Sequence, residues 1–357
     1  MKIMDLPTPI LIADADVMAG NMDRMAGILQ GKPIRLRPHY KSHKCAAIAH
    51  MQIASGAIGM TCAKLSEAED LVYSGIDDVL IANQVVEPEK IIRLALLARL
   101  CRLTVCVDDA GNAEALSRAA VSVGSTIHCL VEYDIGMKRC GVRSVEAYLK
   151  VAQAIVHLPN LEYDGIQAYA GYASHMVSTA ERIEATRANE RRVAELAACL
   201  RENGIAVSTI SGGSTGTCAI KAAGGIYTEL QAGSYLFMDS TYDRLDVPFR
   251  PSLWVLSTVV SRSDDAVILD VGVKGIGADQ DDPVIIDASG QRISGRIELN
   301  EEHLKLYDSG WSTAIGEKAF VMPGHCCSTV NLYDRIYLYH ADVVVDRVSV
   351  TARGKSQ

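Results

Sequence analysis

Asp78-Val79-Leu80-Ile81-Ala82-Asn83 is a short apolar run, residues 88–100 follow with apolar positions at helical period, and Arg102-Leu103-Thr104-Val105-Cys106-Val107 is apolar and β-branched again. A strand, a helix and a strand in that order make one unit of a parallel sheet. The unit repeats outward in both directions. Eight strand-like runs centre on residues 34–37, 57–62, 78–83, 102–107, 126–133, 163–169, 207–211 and 227–232. Helical patterns lie between them, among them 64–73, 145–158 and 179–203, and an entry segment at 9–13 with a helical stretch at 17–29 precedes them. Eight repeats over about 230 residues suit a closed (β/α)8 barrel of the α/β class better than an open doubly wound sheet.

The pattern changes after residue 248. Segments 253–261, 266–270, 318–321, 334–339 and 341–350 read as strands with no long helical pattern between them. The expected organisation is a barrel over residues 7–247 and a C-terminal all-β domain over 248–357, joined by residues 1–6.

The chain has 357 residues, 49% hydrophobic and 22% charged, with formal net charge -8 and pI about 5.6. That balance argues against nucleic acid as a partner, since no basic face is written into the sequence. The one compact basic cluster, Arg35, Arg37, Lys41, His43 and Lys44, reads as a site facing phosphate or a small acid. No apolar run reaches the roughly 18 residues of a membrane span, and the N-terminus has no signal-peptide core. Ten cysteines are scattered, many in apolar stretches, as expected of a reduced compartment. A cytoplasmic protein without a membrane partner is the expectation.

In such barrels the functional residues sit at strand ends. The first barrel strand runs into Arg37-Pro38-His39-Tyr40-Lys41-Ser42-His43-Lys44. A lysine partly desolvated at a strand end becomes a nucleophilic amine able to form a Schiff base; on local sequence alone Lys41 reads equally as a surface lysine in a loop. Ser211-Gly212-Gly213-Ser214-Thr215-Gly216-Thr217 follows the seventh strand, and Gln231-Ala232-Gly233-Ser234-Tyr235 ends the eighth. Glycines admit an anion close to backbone N–H groups, Thr215 and Thr217 add hydroxyl donors, and the loops after strands seven and eight are the usual barrel phosphate site. A single glycine-rich turn is usually only a turn; two in the expected places carry more weight. Glu132 to Val142 brings charges to the same rim, which by itself is an ordinary loop. The sixth strand delivers Gln167, Tyr169, Tyr172 and His175; a histidine titrates near neutrality and can serve as acid or base, although a lone one is more often structural. In the β domain His325 and Cys327 stand two apart, on one side of an extended segment. An imidazole and a thiolate can hold a borderline metal ion, but two ligands are few.

Together Arg37 to Lys44, Gly136 to Val142, Ser211 to Thr217, Thr228 to Tyr235 and Pro323 to Asn331 resemble the D-threonine aldolase and D-serine dehydratase-like group of fold type III pyridoxal-phosphate enzymes. These are alanine racemase-like barrels, and the resemblance spans nearly the whole chain. Among members, the 3-hydroxy-D-aspartate aldolases look similar along its length. The resemblance implies pyridoxal 5'-phosphate on Lys41, with Thr215, Gly216, Gly233 and Ser234 at its phosphate and Arg139 near its ring. It places His39, Tyr169 and Tyr235 among the cofactor-binding residues and His175 near the substrate as a catalytic residue. It makes His325 and Cys327 ligands of a divalent metal (zinc, manganese or magnesium) that meets the β-hydroxyl of a D-amino acid, and it implies a homodimer. The expected activity is retro-aldol cleavage of a D-3-hydroxy amino acid to glycine and an aldehyde. One departure points elsewhere: several aldolases of the group carry His-x-Asp at the metal position, whereas its dehydratases carry His-x-Cys, the form seen in His325-Cys326-Cys327. β-Elimination to a keto acid and ammonia is therefore the alternative. An amino-acid racemase would need no metal, and a non-catalytic cofactor-binding protein would resemble the barrel alone.

Overall fold

The computed structural model describes the whole chain, Met1–Gln357. Strands are numbered in chain order, β1 being Ile10–Asp14. The barrel strands are β2 (Arg35–Leu36), β3 (Met60–Cys62), β4 (Asp78–Ile81), β5 (Arg102–Val107), β6 (Ile127–Glu132), β7 (Leu161–Gln167), β8 (Thr209–Gly212) and β9 (Glu229–Leu230). They form an 8-stranded sheet in the order β2-β9-β8-β7-β6-β5-β4-β3, with every pairing parallel. Its two edges meet: Ile58 N donates to Leu36 O at 2.9 Å, Thr61 N to Pro38 O at 2.9 Å, and His39 bridges Thr61. The sheet is thereby closed, as the alternation of strand and helix predicts.

The local reasons are visible in the sequence. β5 is buried at every position after its first, the continuous apolar run of a strand covered on both faces. Helix Pro88–Leu97 starts with proline, whose missing N–H costs nothing there, and buries Ile91, Leu94 and Ala95 at helical spacing. Helix Ala110–Val123 opens on Asp109, which accepts from Asn112 N at 2.9 Å, and closes on Gly124 in the left-handed region. Leu80, Cys106 and Leu130 form a packed cluster with Ala82 against it.

The second sheet has 10 strands. These are β1 with β10 (Leu253–Arg262), β11 (Ala266–Leu269), β12 (Val284–Asp287), β13 (Arg292–Ile293), β14 (Arg296–Leu299), β15 (Leu304–Tyr307), β16 (Lys318–Met322), β17 (Arg335–His340) and β18 (Val343–Ser349). Its spine runs β13-β12-β16-β10-β1-β17-β18. The entry segment is thus part of this sheet: β1 lies antiparallel to β10 and parallel to β17. Ile3, Leu6, Ile12, Leu256 and Tyr339 form its apolar cluster. Two compact units result, one of residues 1–25, 42–48 and 234–354, the other of 26–41, 49–233 and 355–357. These bounds differ from the expected 7–247 and 248–357; residues 1–25 fall in the sheet unit because β1 pairs with sheet strands on both sides. No helix is long and apolar enough to cross a membrane.

Candidate active site

In the barrel unit, a cavity of about 180 Å³ is lined by His39, Lys41, Asn83, Arg139, Gln167, Tyr169 and Gln231, among others. The strand ends build it. β2 leads through His39 into a single turn, Tyr40–Ser42, that carries Lys41. His39 Nδ1 accepts from Lys41 N at 3.3 Å. Tyr40 is buried and donates to Asp70 Oδ2 at 2.6 Å, while Lys355 Nζ holds the other Asp70 oxygen at 2.6 Å. The turn is pinned beside an exposed Lys41, so the desolvation expected of that lysine is not seen.

β6 ends in Glu132, and the loop behind it is hydrogen-bonded rather than open. Asp134 N donates to Val142 O and Val142 N to Glu132 O, each at 2.9 Å. Asp134 Oδ1 accepts from Gly136 N at 2.9 Å and Lys138 N at 3.1 Å. Burial disfavours the Asp134 carboxylate, but these N–H groups and Arg143 hold its pKa below the usual range. Gly141, at φ +95°, has no room for a Cβ against Glu132 and Asp134. The loop carries Arg139 to 5.9 Å from the centre of the Tyr169 ring. Gln231 Nε2 donates to Gln167 Oε1 at 2.7 Å and to Ser211 Oγ at 2.9 Å, fixing two cavity-lining amides.

The turn after β8 is tightly built. A Cβ on Gly212 would sit 2.0 Å from Ala168 O, and Gly213 has φ +81°. Ser214 N donates to Thr217 Oγ1 at 3.1 Å, and Ser174 Oγ donates to Ser214 Oγ at 2.6 Å. Thr217 is therefore committed inside the turn and is not the free donor its position suggested. Thr215 Oγ1, by contrast, is buried without a partner in the protein. An orphaned buried hydroxyl in a glycine turn at a barrel strand end is what an anion would satisfy. Gly216 is buried beside it and Gly233 follows β9. His175, partly exposed, ends the short helix Gly171–Ser174 and is not among the residues lining the cavity.

The basic cluster does not converge. Arg37 is buried and shared by two carboxylates, with Nη1 2.7 Å from Asp78 Oδ1 and Nη2 2.9 Å from Glu229 Oε1. His43 and Lys44 are buried in the other unit, and Arg35 is exposed. Arg37 is consumed in holding strands together, so it is not an anion-facing residue.

In the sheet unit, residues 326–330 form a short helix with His325 as its N-cap, not the extended segment expected. His325 and Cys327 nevertheless meet: the imidazole is hydrogen-bonded to the Cys327 thiol. Burial disfavours its protonated form, yet Cys327 and Asp279 push its pKa up to about 9. Asp239, fully buried, accepts from Cys326 N at 3.0 Å and Tyr242 N at 3.0 Å. Thr241 Oγ1 donates to Gly324 O at 2.8 Å. Ser234 Oγ lies 4.0 Å from Cys327 Sγ, and Tyr235 packs on Phe249 at 5.6 Å. Asp239 and Asp279 were not singled out from the sequence, where nothing marks them. A second ligand-like group, His128, Glu162 and Asp164, has its donor atoms within 4.8 Å of one another. Arg102 already binds Asp164 Oδ2 at 2.6 Å and His128 Nε2 at 3.1 Å, which makes that group an ion-pair network.

Residues 13–241 match the family model described as alanine racemase, N-terminal domain, and 252–339 match the putative serine dehydratase domain. A D-threonine aldolase of Arthrobacter sp is 40% identical, over 98% of this chain and 93% of its own. A 3-hydroxy-D-aspartate aldolase of Paracoccus denitrificans is 35% identical, over 99% of this chain and 94% of its own. The crystal structure of D-threonine aldolase from Filomicrobium marinum superposes with TM-score 0.95 at 38% identity, covering 100% of this chain and 98% of that one. D-threo-3-hydroxyaspartate dehydratase from Delftia sp. HT23 superposes at 0.89 and 26% identity, covering 98% of each chain.

Proposed function

The chain belongs to the alanine racemase N-terminal-domain family, and from that premise we propose that it is a lyase dependent on pyridoxal phosphate and a divalent metal. Its substrate is a D-3-hydroxy amino acid of the D-threonine or 3-hydroxy-D-aspartate type, cleaved to glycine and an aldehyde. The observation that carries this reading is the meeting of Lys41, His39, Arg139 and Tyr169 around one strand-end cavity. The orphaned Thr215 hydroxyl supports a phosphate in the glycine turn. The cofactor, when bound, supplies an electron sink for charge developing at the substrate Cα. An ion held by His325 and Cys327 supplies Lewis-acid polarisation of a hydroxyl; this donor pair favours zinc over manganese or magnesium.

The chain's own residues have separate tasks. Lys41 is the amine that holds the cofactor aldehyde. Thr215 and Gly216, with Gly233, Ser234 and Tyr235, are its phosphate-end residues, and Arg139, Tyr169 and His39 border its ring. His175 accepts the β-hydroxyl proton, the event that separates retro-aldol cleavage from β-elimination. A homodimer and a cytoplasmic location belong to the same reading.

A second reading has its own observation. Cys327 in contact with His325 is the dehydratase form of the metal pair, and Lys41 would then remove the α-proton. Product analysis of the protein loaded with cofactor and metal, given D-threonine, D-serine and 3-hydroxy-D-aspartate, decides. Glycine with an aldehyde is the expected result. Ammonia with a keto acid would replace it by the dehydratase, and no product from the loaded protein would sink both.

A further inference from the structure

We propose that Asp279 is the positioning residue for the ligand His325, with Ser328 holding its carboxylate in place; this rests on the metal reading above. Asp279 Oδ2 lies 2.7 Å from His325 Nδ1, and Ser328 Oγ donates to Asp279 Oδ1 at 2.5 Å. A carboxylate only accepts, so Nδ1 carries a ring proton, and Nε2 is the nitrogen left to give up its own proton and take an ion. Metal-binding histidines are oriented in this way by a carboxylate on the second ring nitrogen.

The arrangement is built by two segments, not by a chance surface pair. Gly277 N donates to Thr329 Oγ1 at 3.0 Å, and Thr329 Oγ1 donates to His325 O at 2.8 Å. A Cβ on Gly277 would lie 1.9 Å from Ser328 Oγ, so only glycine lets the loop approach the helix this closely. Asp279 uses both oxygens on two donors that sit three residues apart, on either side of Cys327. An exposed ion pair left to itself would orient nothing; this one is tied to the ligand's own backbone.

The test is zinc affinity of the cofactor-loaded, metal-stripped protein, by competition with a chromogenic chelator. Asp279→Ala is expected to weaken zinc binding by about 10- to 100-fold. Asp279→Asn should lose less, since an amide oxygen still accepts from Nδ1–H, and Ser328→Ala should give a smaller loss in the same direction. Ring 15N shifts of His325 in the zinc-loaded protein should show Nδ1–H with Nε2 on the metal in the parent, and a mixture of the two ring nitrogens on the metal in Asp279→Ala, an effect a merely structural role would not give. Asp279 is half-exposed, and near-UV circular dichroism checks that the variants keep the fold. His325→Ala and Cys327→Ala serve as references. Parental affinity in both would overturn the metal reading itself. Loss in both, with parental affinity and tautomer in Asp279→Ala, would leave that reading standing and overturn the role of Asp279.

Discussion

Replacing Thr215 by valine separates what the glycine turn does for the fold from what it does for a ligand. The Thr215 hydroxyl is buried, the residue being 1% exposed, and has no partner in the protein. Leaving a buried hydroxyl unsatisfied costs about 1–3 kcal/mol. Valine keeps the branched shape and removes that cost, so the cofactor-free protein should gain stability of about this size. A hydrogen bond from the same hydroxyl to a charged phosphate is worth about 1.5–3 kcal/mol. Its loss corresponds to a dissociation constant for pyridoxal phosphate raised roughly 10- to 150-fold, at 1.4 kcal/mol per decade. The two effects have opposite signs, so one variant tests both. Urea denaturation of the cofactor-free protein reads the first, and absorbance titration with pyridoxal phosphate reads the second. A variant less stable without cofactor and unchanged in affinity would refute the phosphate assignment and make Thr215 an ordinary core residue.

Arg37→Met leaves Asp78 and Glu229 facing each other without a cation; a loss of about 3–5 kcal/mol is expected, and an unchanged urea midpoint would contradict it. Lys221, buried over the Tyr227 ring at 3.3 Å, is pushed by burial from 10.5 down to about 7 against the pull of Glu190. The unfolded chain keeps that proton until about pH 10.5, so between pH 7 and 10.5 it binds more protons than the folded chain and stability rises with pH. Lys221→Met should remove this slope, its stability relative to the parent being best at pH 6.5 and falling toward pH 9.5; parallel urea curves at the two pH values would count against it. Lys41→Ala should abolish borohydride-reducible attachment of the cofactor, and attachment to another lysine would reassign the role. His175→Asn should retain cofactor and metal while aldehyde formation falls by about 10²–10⁴-fold; undiminished turnover would remove His175 from the reaction.

Some of this molecule is legible without coordinates. The alternation of short apolar runs with helical periods is local, and each barrel strand lies where a run was read. Residues 102–107, for instance, are expected and observed as a strand. In the second sheet, β12, β13, β14 and β15 are not read from the sequence. β14 (Arg296-Ile297-Glu298-Leu299) and β15 (Leu304-Lys305-Leu306-Tyr307) alternate polar and apolar residues over only four positions, and most residues of the four strands are partly or fully exposed, so no buried run marks them.

What the sequence by itself determined is periodicity and chemistry: a parallel barrel, an all-β partner unit, a lysine at a strand end, glycine turns after the last two barrel strands, and an imidazole two residues from a thiol. What only the tertiary structure decided is which groups meet. Arg37 is neutralised by carboxylates 41 and 192 residues away, Asp279 reaches His325 across 46 positions, and β1 joins strands near the other end of the chain. Thr217 is bound within its turn while Thr215 is left free to donate. Backbone preference and hydrophobic period act over a few residues and are written locally. The pairing of polar groups depends on distances that exist only once the sheets have closed, and so it is those pairings that the sequence leaves open.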